Sequence, residues 1–127
     1  MGATRDLAMT EMPMRGISIN PESGGSAAIT VVPSDSGLVF VNKYTTNTVY
    51  TLPTATLCKG KYFWFFNAQA TATIALTGGT ADVMIGADDT AADTITDNNA
   101  IGNWAFVIGD GTNFYVITGV GTWSASG

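Results

Sequence analysis

Five aspartates concentrated in one stretch are the residues of this sequence best suited to chemistry. They fall within sixteen positions: Asp82, Asp88, Asp89, Asp93 and Asp97. A glycosidase needs two carboxylates held rigidly about 5–10 Å apart, whereas the Ala- and Thr-rich surroundings here predict mobile loops. Calcium binding is the better functional alternative. Counted from Asp88, however, the third and fifth positions are Thr90 and Ala92, and Asp93 stands at the sixth, where an EF-hand has Gly. We therefore predict a solvated acidic loop and no metal site, with a bound cation as the alternative.

Other catalytic and cofactor-binding patterns are missing from the sequence. It has no histidine, so neither a Ser-His-Asp nor a Cys-His arrangement can form. The single cysteine, Cys58, is expected to be a small buried apolar residue, because no histidine is present to activate its thiol. The glycines at 109–111 and 119–121 are turn glycines, since no helical pattern follows them. We predict no catalytic residue, no cofactor and no enzymatic activity.

The composition indicates a protein that buries much of its surface against other molecules. The chain has 127 residues, enough for one domain, and 12% of them are charged, against about 25% in typical soluble domains. All five basic residues lie in the first half, and the net charge is −5. Nucleic-acid binding needs clustered positive charge, so we expect no nucleic-acid partner. No apolar stretch is long enough for a signal peptide or a membrane span, so we expect synthesis in a cytoplasm and no membrane partner.

Residues 61–76 form the segment around which the predicted fold is organised. Its five consecutive aromatics are Tyr62, Phe63, Trp64, Phe65 and Phe66. Successive side chains of a strand point to opposite faces, so this strand is bulky on both faces, and each must be covered by the core or by another chain. We therefore assign the five aromatics to the core or to an oligomer interface, with Trp64 in the core. Residues 71–76 are expected to return beside this strand as a hairpin.

The remaining pattern is typical of an all-β domain. Short apolar stretches bounded by turn residues predict strands at 27–32, 38–42, 48–52, 82–85, 94–96, 103–108 and 113–117, and no helical periodicity is present. The last two strands are expected to form a hairpin around Gly109-Asp110-Gly111-Thr112. We predict a jelly-roll-like β-sandwich or barrel over residues 27–118. A flexible C-terminal tail, 119–127, is expected to follow, with Trp123 as a candidate anchor.

Residues 1–26 differ from the rest and are predicted to form an extended N-terminal arm. Within them, residues 14–19 are the candidate for a short strand, and the sequence NPESGG at 20–25 is a strong turn or linker signal. Methionine adapts to irregular apolar grooves, so Met9, Met12 and Met14 are candidate contacts with a partner. A frayed terminus is the alternative interpretation.

Four segments in a fixed order resemble a module of tailed-phage structural proteins. They cover about residues 38–118 and read Tyr50-Thr51-Leu52-Pro53, Lys59-Gly60-Lys61-Tyr62-Phe63, Thr73-Ile74-Ala75-Leu76 and Gly109-Asp110-Gly111-Thr112-Asn113-Phe114-Tyr115-Val116-Ile117. The chain resembles capsid decoration (cement) proteins, small β-sandwiches that bind the outer shell as trimers, and also β-domains of phage tail fibres and spikes. The resemblance implies a virion protein made in a bacterial host cytoplasm. It transfers no functional site, and it carries over Asp110 and Gly111 as turn formers alone.

Two functions are expected from this resemblance. In the first, a homotrimer binds the major capsid protein on the outer capsid surface and bridges capsomers, with Met9, Met12 and Met14 as candidate capsid contacts. Deletion of residues 1–26 would then weaken shell binding while the trimer stays folded. In the second, the chain is a tail-fibre or receptor-binding β-module in which Tyr44, Trp104 or Trp123 stacks on host glycans. Core packing is the competing interpretation of these three aromatics.

Overall fold

The structure is a computed structural model that describes residues 14–20, 27–87 and 89–127. Twelve strands and two short 3-10 helices lie in these ranges. The strands are β1 (Gly16–Asn20), β2 (Ala28–Thr30), β3 (Leu38–Asn42), β4 (Thr48–Thr51), β5 (Tyr62–Asn67), β6 (Ile74–Thr77), β7 (Met84–Gly86), β8 (Asp89–Ala92), β9 (Thr94–Asp97), β10 (Trp104–Gly109), β11 (Phe114–Thr118) and β12 (Trp123–Ser126). The 3-10 helices are Pro33–Asp35 and Ala55–Leu57. Met9 and Met12, predicted to contact a partner, lie outside the described residues, whereas Met14 is half-buried.

Two sheets packed against each other form a β-sandwich, which confirms the predicted all-β fold. The large sheet has the strand order β1-β3-β5-β10-β11-β7-β8, and the small sheet has the order β12-β9-β6-β4-β2. Buried apolar side chains from both sheets form one core. At its centre the ring of Tyr50 lies 5.6 Å from that of Phe40 and 5.0 Å from that of Phe65. Each such ring contributes about 1.5–3 kcal/mol by leaving water.

The first six strands alternate between the two sheets and pair in parallel. β1, β3 and β5 are neighbours in the large sheet, and β2, β4 and β6 are neighbours in the small sheet. Parallel neighbours need a crossover between them. Here a strand of the opposite sheet supplies each crossover, so the chain winds through successive coils from β1 to β6.

The predicted hairpin between residues 62–66 and 71–76 is wrong, because β5 and β6 lie in opposite sheets. β5 pairs with β3 and β10, and β6 pairs with β4 and β9. The connection between them crosses from sheet to sheet, and Asn67 at the end of β5 donates from Nδ2 to the carbonyl of Ala72 over 2.8 Å. Phe65 and Leu76 consequently point into the same core from opposite sides.

Both ends of the described chain take part in the sheets. β1 falls within the segment predicted as an arm and pairs with the whole of β3, so residues 16–20 belong to the sandwich. β12 pairs antiparallel with β9, so the predicted flexible tail is wrong over Trp123–Ser126. Trp123 is buried and donates from Nε1 to the carbonyl of Val120 over 3.0 Å, which confirms it as an anchor. The predicted hairpin of β10 with β11 is also confirmed.

Candidate functional site

The outer surface of the large sheet is an apolar layer that crosses five strands. In β5 and β10 buried and half-buried residues alternate, so every second side chain points away from the core. The strand register places Phe106 beside Trp64, and Trp64 beside Val39 of the next strand. We call this surface the aromatic face. It consists of Ile17, Ile19, Val39, Val41, Tyr62, Trp64, Phe66, Trp104, Phe106, Ile108, Tyr115 and Ile117.

Ring contacts connect the centre of the aromatic face. The ring centroid of Trp64 lies 5.0 Å from those of Trp104 and Phe106, and that of Tyr62 lies 5.8 Å from Phe106. The rings are tilted against one another rather than stacked face to face, as aromatic quadrupoles favour. Gly119 makes room for Trp104, because a Cβ at that position would overlap the indole ring. These contacts hold the rings in a single layer.

The aromatic face is most exposed along its two margins and carries no charge. Ile17 and Ile19 on β1 are 65% and 57% exposed, while Tyr115 and Ile117 on β11 are 41% and 51% exposed. None of the twelve residues is Asp, Glu, Lys or Arg. Isolated apolar residues are common on protein surfaces, but a contiguous apolar layer of this extent marks an interaction site.

The five consecutive aromatics divide between the core and the aromatic face. Phe63 and Phe65 are fully buried in the core, and Tyr62, Trp64 and Phe66 lie half-buried on the outside. The prediction that Trp64 lies in the core is therefore wrong. Strand alternation divides the five residues into two sets, but it does not show which set faces the small sheet. Packing between the sheets decides that, and the buried set is the one without an indole ring or a phenol hydroxyl.

Apart from Trp104, which was a candidate for stacking on glycans, the residues that β1, β3, β10 and β11 contribute to this surface were not predicted from the sequence as site residues. The signal was present, because β10 also places aromatic or apolar residues at alternate positions, Trp104, Phe106 and Ile108. The intervening residues Ala105 and Val107 are apolar as well. A strand that is apolar on both sides does not reveal its outer face until its neighbours are known.

The outer surface of the small sheet has a different chemistry. One row across its five strands consists of hydroxyl side chains, in the order Thr30, Thr51, Thr77, Thr94 and Ser126. Thr94 donates from Oγ1 to Oγ1 of Thr77 over 2.9 Å. This row is polar and compatible with water, in contrast to the aromatic face on the opposite side of the sandwich.

A row of buried asparagines connects the parallel coils through side-chain hydrogen bonds. Asn20, Asn42 and Asn67 occupy matching positions at the ends of β1, β3 and β5. Asn20 donates from Nδ2 to Oδ1 of Asn42 over 2.6 Å, and Asn42 donates from Nδ2 to Oδ1 of Asn67 over 3.2 Å. Asn67 and Asn103 both donate to Oδ2 of Asp97, over 2.9 and 3.0 Å. Because these groups bond to one another, we interpret the row as structural.

The acidic stretch does not assemble into a site within the described residues. Asp97 is buried, and its Oδ1 accepts the backbone N–H of Ile74 over 2.8 Å, so its carboxylate is already satisfied. The pKa of Asp93 is raised by burial of its carboxyl and then by the hydrogen bond and charge of Asp82. Asp88 lies outside the described residues. Across the described part of the chain, no three His, Cys, Asp or Glu side chains meet in a way that could hold a metal ion.

A cavity of about 340 Å³ lies beside the second 3-10 helix. It is lined by Thr54, Ala55, Thr56, Gly78, Thr80, Ala81, Val83 and Thr112. None of these side chains titrates or is an activated nucleophile, so the cavity offers hydroxyl and methyl groups alone. The thiol of Cys58 is buried, and burial raises its pKa, so it is a core residue rather than a nucleophile.

The three aromatics expected to stack on glycans lie in different environments. Trp123 is buried and bonded through its indole N–H, so it cannot present a ring to a sugar, and that expectation is wrong. Tyr44 is half-buried just beyond β3. Trp104 lies on the aromatic face against Trp64.

No helix in the described ranges is both long and apolar enough to cross a membrane. No protein-family model, curated protein or solved structure matches this chain. The candidate site is therefore defined by its geometry: a layer of twelve uncharged apolar side chains on the outside of the large sheet.

Proposed function

We propose that this chain is a structural protein of a phage virion, a capsid decoration protein that binds the outer shell as a homotrimer. The observation that carries the proposal is the aromatic face, a contiguous apolar surface that needs a macromolecular cover. Its partners are the major capsid protein and other copies of the chain. The resemblance to phage decoration proteins over residues 38–118 supplies the virion context.

The parallel pairing of β1, β3 and β5 supports a covered surface. All-parallel sheets are almost always covered on both faces. β1, β3 and β5 form the parallel part of this mixed sheet, and within the described part of the chain the core covers one face of them. A small-molecule ligand would need a concave pocket with a few converging polar groups. A flat layer across five strands is suited instead to another protein surface.

The segments that carry the resemblance have structural roles that support it. Pro53 lies two residues beyond the end of β4, where its missing N–H costs no sheet hydrogen bond. Asp110 accepts the backbone N–H groups of Thr112 and Asn113, over 2.8 and 2.6 Å, and so closes the hairpin of β10 with β11. Gly111 within that turn has a φ of +93°, which favours glycine.

In the proposed mechanism the chain adheres to its partners through buried apolar contacts that are repeated over many trimers, and it performs no catalysis. Buried apolar area stabilises each contact by about 25 cal/mol per Å², offset by the cost of association. When many trimers bridge neighbouring capsomers, modest contacts add together through multivalency. The candidate reactive groups, Cys58 and the Asp82–Asp93 pair, play no part in this mechanism.

The copy number of the chain per particle tests the proposal. Quantitative mass spectrometry of purified virions should find hundreds of copies, in a simple ratio to the major capsid protein. A few copies, or a few dozen, would assign the chain to the tail or to a vertex and overturn the decoration role.

A receptor-binding β-module on a tail fibre is the second candidate, and one observation favours it. Trp64 and Trp104 present half-exposed indole rings 5.0 Å apart, and adjacent rings are suited to stacking on sugars. Its test is binding to host envelope glycans by the wild type and by Trp104→Ala. Specific binding that Trp104→Ala removes would support this candidate, and no binding would reject it.

A further inference from the structure

We infer that the aromatic face is the surface through which copies of this chain associate with one another, and that the capsid shell binds elsewhere. The assignment deepens the proposed function, because it names the surface used by the homotrimer. It rests on that function for the number of copies and for the order of assembly. The occupants are the other copies of the chain, whose own aromatic faces meet the first around the axis of the homotrimer.

The composition of the face favours a permanent contact over a later docking event. Interfaces between partners that also exist separately are about as apolar as the rest of a protein surface, whereas permanent homo-oligomeric interfaces resemble a domain core. Trp64, Trp104 and Phe106 form the centre of the face, and none of its twelve residues is charged. Aromatic residues at the centre of a patch are also the residue types that dominate binding energy.

The order of assembly also favours other copies of the chain as the partner of the aromatic face. A decoration protein folds before it meets a completed shell, so any surface reserved for the shell remains in water during that interval. Ile17 and Ile19, exposed to 65% and 57%, extend the aromatic rings into one continuous apolar surface, and such surfaces aggregate when uncovered. Other copies of the chain are present from synthesis onward and can cover the face at once.

The size of the face is sufficient for a specific interface. Twelve outward side chains, on strands about 4.8 Å apart and spaced about 6.7 Å along each strand, give a flat footprint of roughly 390 Å². That footprint, before the relief of the side chains is counted, already equals the ~400 Å² per partner that most incidental contacts stay below. Side-chain relief and the residues around the face extend it toward the ~800 Å² per partner of a standard interface.

Sedimentation equilibrium of the full chain and of charge-insertion variants tests the inference. Phe106→Lys places a charge at the centre of the aromatic face, and Ile117→Lys places one beside it, where Phe106 pairs with Ile117. The matched control is Val49→Lys, which puts the same charge on the outer surface of the small sheet at a residue already 38% exposed. Amide NMR spectra or far-UV circular dichroism establish that each variant is folded.

We expect an oligomeric wild type and an oligomeric Val49→Lys variant. Phe106→Lys should raise the self-dissociation constant by about a hundredfold or more, and Ile117→Lys by about tenfold. If Phe106→Lys does not fold, Ile117→Lys decides the question, because that side chain is 51% exposed in the single chain and its replacement leaves the core intact. A monomeric wild type, or unchanged self-association in the folded variants, overturns the inference.

Binding to purified expanded shells separates this inference from the proposed function. An oligomer that uses the aromatic face but does not bind shells supports the inference and rejects the decoration role. A monomer that binds shells, and loses that binding in Phe106→Lys, supports decoration and rejects self-association through this face.

Discussion

The hydroxyl group of Tyr50 is buried beside Phe40 and Phe65 and has no hydrogen-bond partner among the described residues. Burial also raises the pKa of this phenol far above its usual value, so the group remains neutral. We expect Tyr50→Phe to raise the free energy of unfolding by about 1 kcal/mol, because it removes an unsatisfied buried oxygen and retains the ring. Urea denaturation measures the change. Tyr115→Phe is the control: its hydroxyl donates to Oδ2 of Asp110 over 2.6 Å, so this variant should gain no stability.

Asp110 makes the stability of the β10–β11 hairpin depend on pH in the acidic range. Backbone N–H groups of the turn and the hydroxyl of Tyr115 lower its pKa to about 2. Its contribution is complete above the unfolded-state pKa of about 4 and is lost as the pH falls toward 2. We expect Asp110→Asn to flatten this part of the curve of melting temperature against pH. An unchanged slope between pH 4 and pH 2 would show that other carboxylates control it.

The Asp82–Asp93 pair should have the opposite pH dependence. Because the pKa of Asp93 is raised in the folded protein, its contribution to stability is complete below the unfolded-state pKa and declines as the pH rises through the folded-state value. Replacement of Asp82 by Asn removes the neighbouring charge that disfavours ionised Asp93. We expect the variant to melt at a higher temperature than the wild type at pH 7 and at the same temperature at pH 3, as measured by calorimetry. Equal melting temperatures at pH 7 would contradict this interaction.

At the scale of the elements, the asparagine row connects the parallel coils. Asn67 accepts from Asn42 and donates to Ala72 and Asp97, so its removal leaves buried polar groups without partners. We expect Asn67→Ala to lower the free energy of unfolding by about 3 kcal/mol. Asn47→Ala is the matched control: Asn47 is exposed and accepts one backbone hydrogen bond, from Thr73, so its loss should cost less than about 1 kcal/mol. Similar losses in the two variants, measured by urea denaturation, would reject a special role for the row.

The strands differ in how far local sequence determined their partners. β10 and β11 are joined by a short turn with Asp and Gly at the required positions, so their pairing was predictable. The partner of β5 was not, because β3 precedes it by more than twenty residues and β10 follows it by about forty. A turn signal specifies that the chain bends, but it does not specify whether the next strand joins the same sheet or the opposite one.

For the whole molecule, the position of β1 revises the deletion expected to release the N-terminal arm. Removal of residues 1–13 leaves all of the described strands in place, whereas removal of residues 1–20 takes Ile17 and Ile19 from the aromatic face and Asn20 from the asparagine row. We expect the longer deletion to lower the melting temperature by roughly 5–10 °C relative to the shorter one and to weaken self-association. Thermal melts and sedimentation compare the two. Equal melting temperatures would show that β1 contributes little to the fold.

Local sequence patterns were sufficient to predict an all-β sandwich or barrel, a last hairpin that closes around Asp110, and a strand β5 with two bulky faces that need cover. These properties depend on local features, namely turn residues and the two-residue repeat of a strand. Tertiary structure alone decided that Phe63 and Phe65 enter the core while Trp64 faces outward, and that β1 to β6 wind between the sheets. The physical reason is that the alternation of side chains along a strand defines two faces but does not show which face is buried. The buried face depends on the free energy of packing against strands that are distant in sequence.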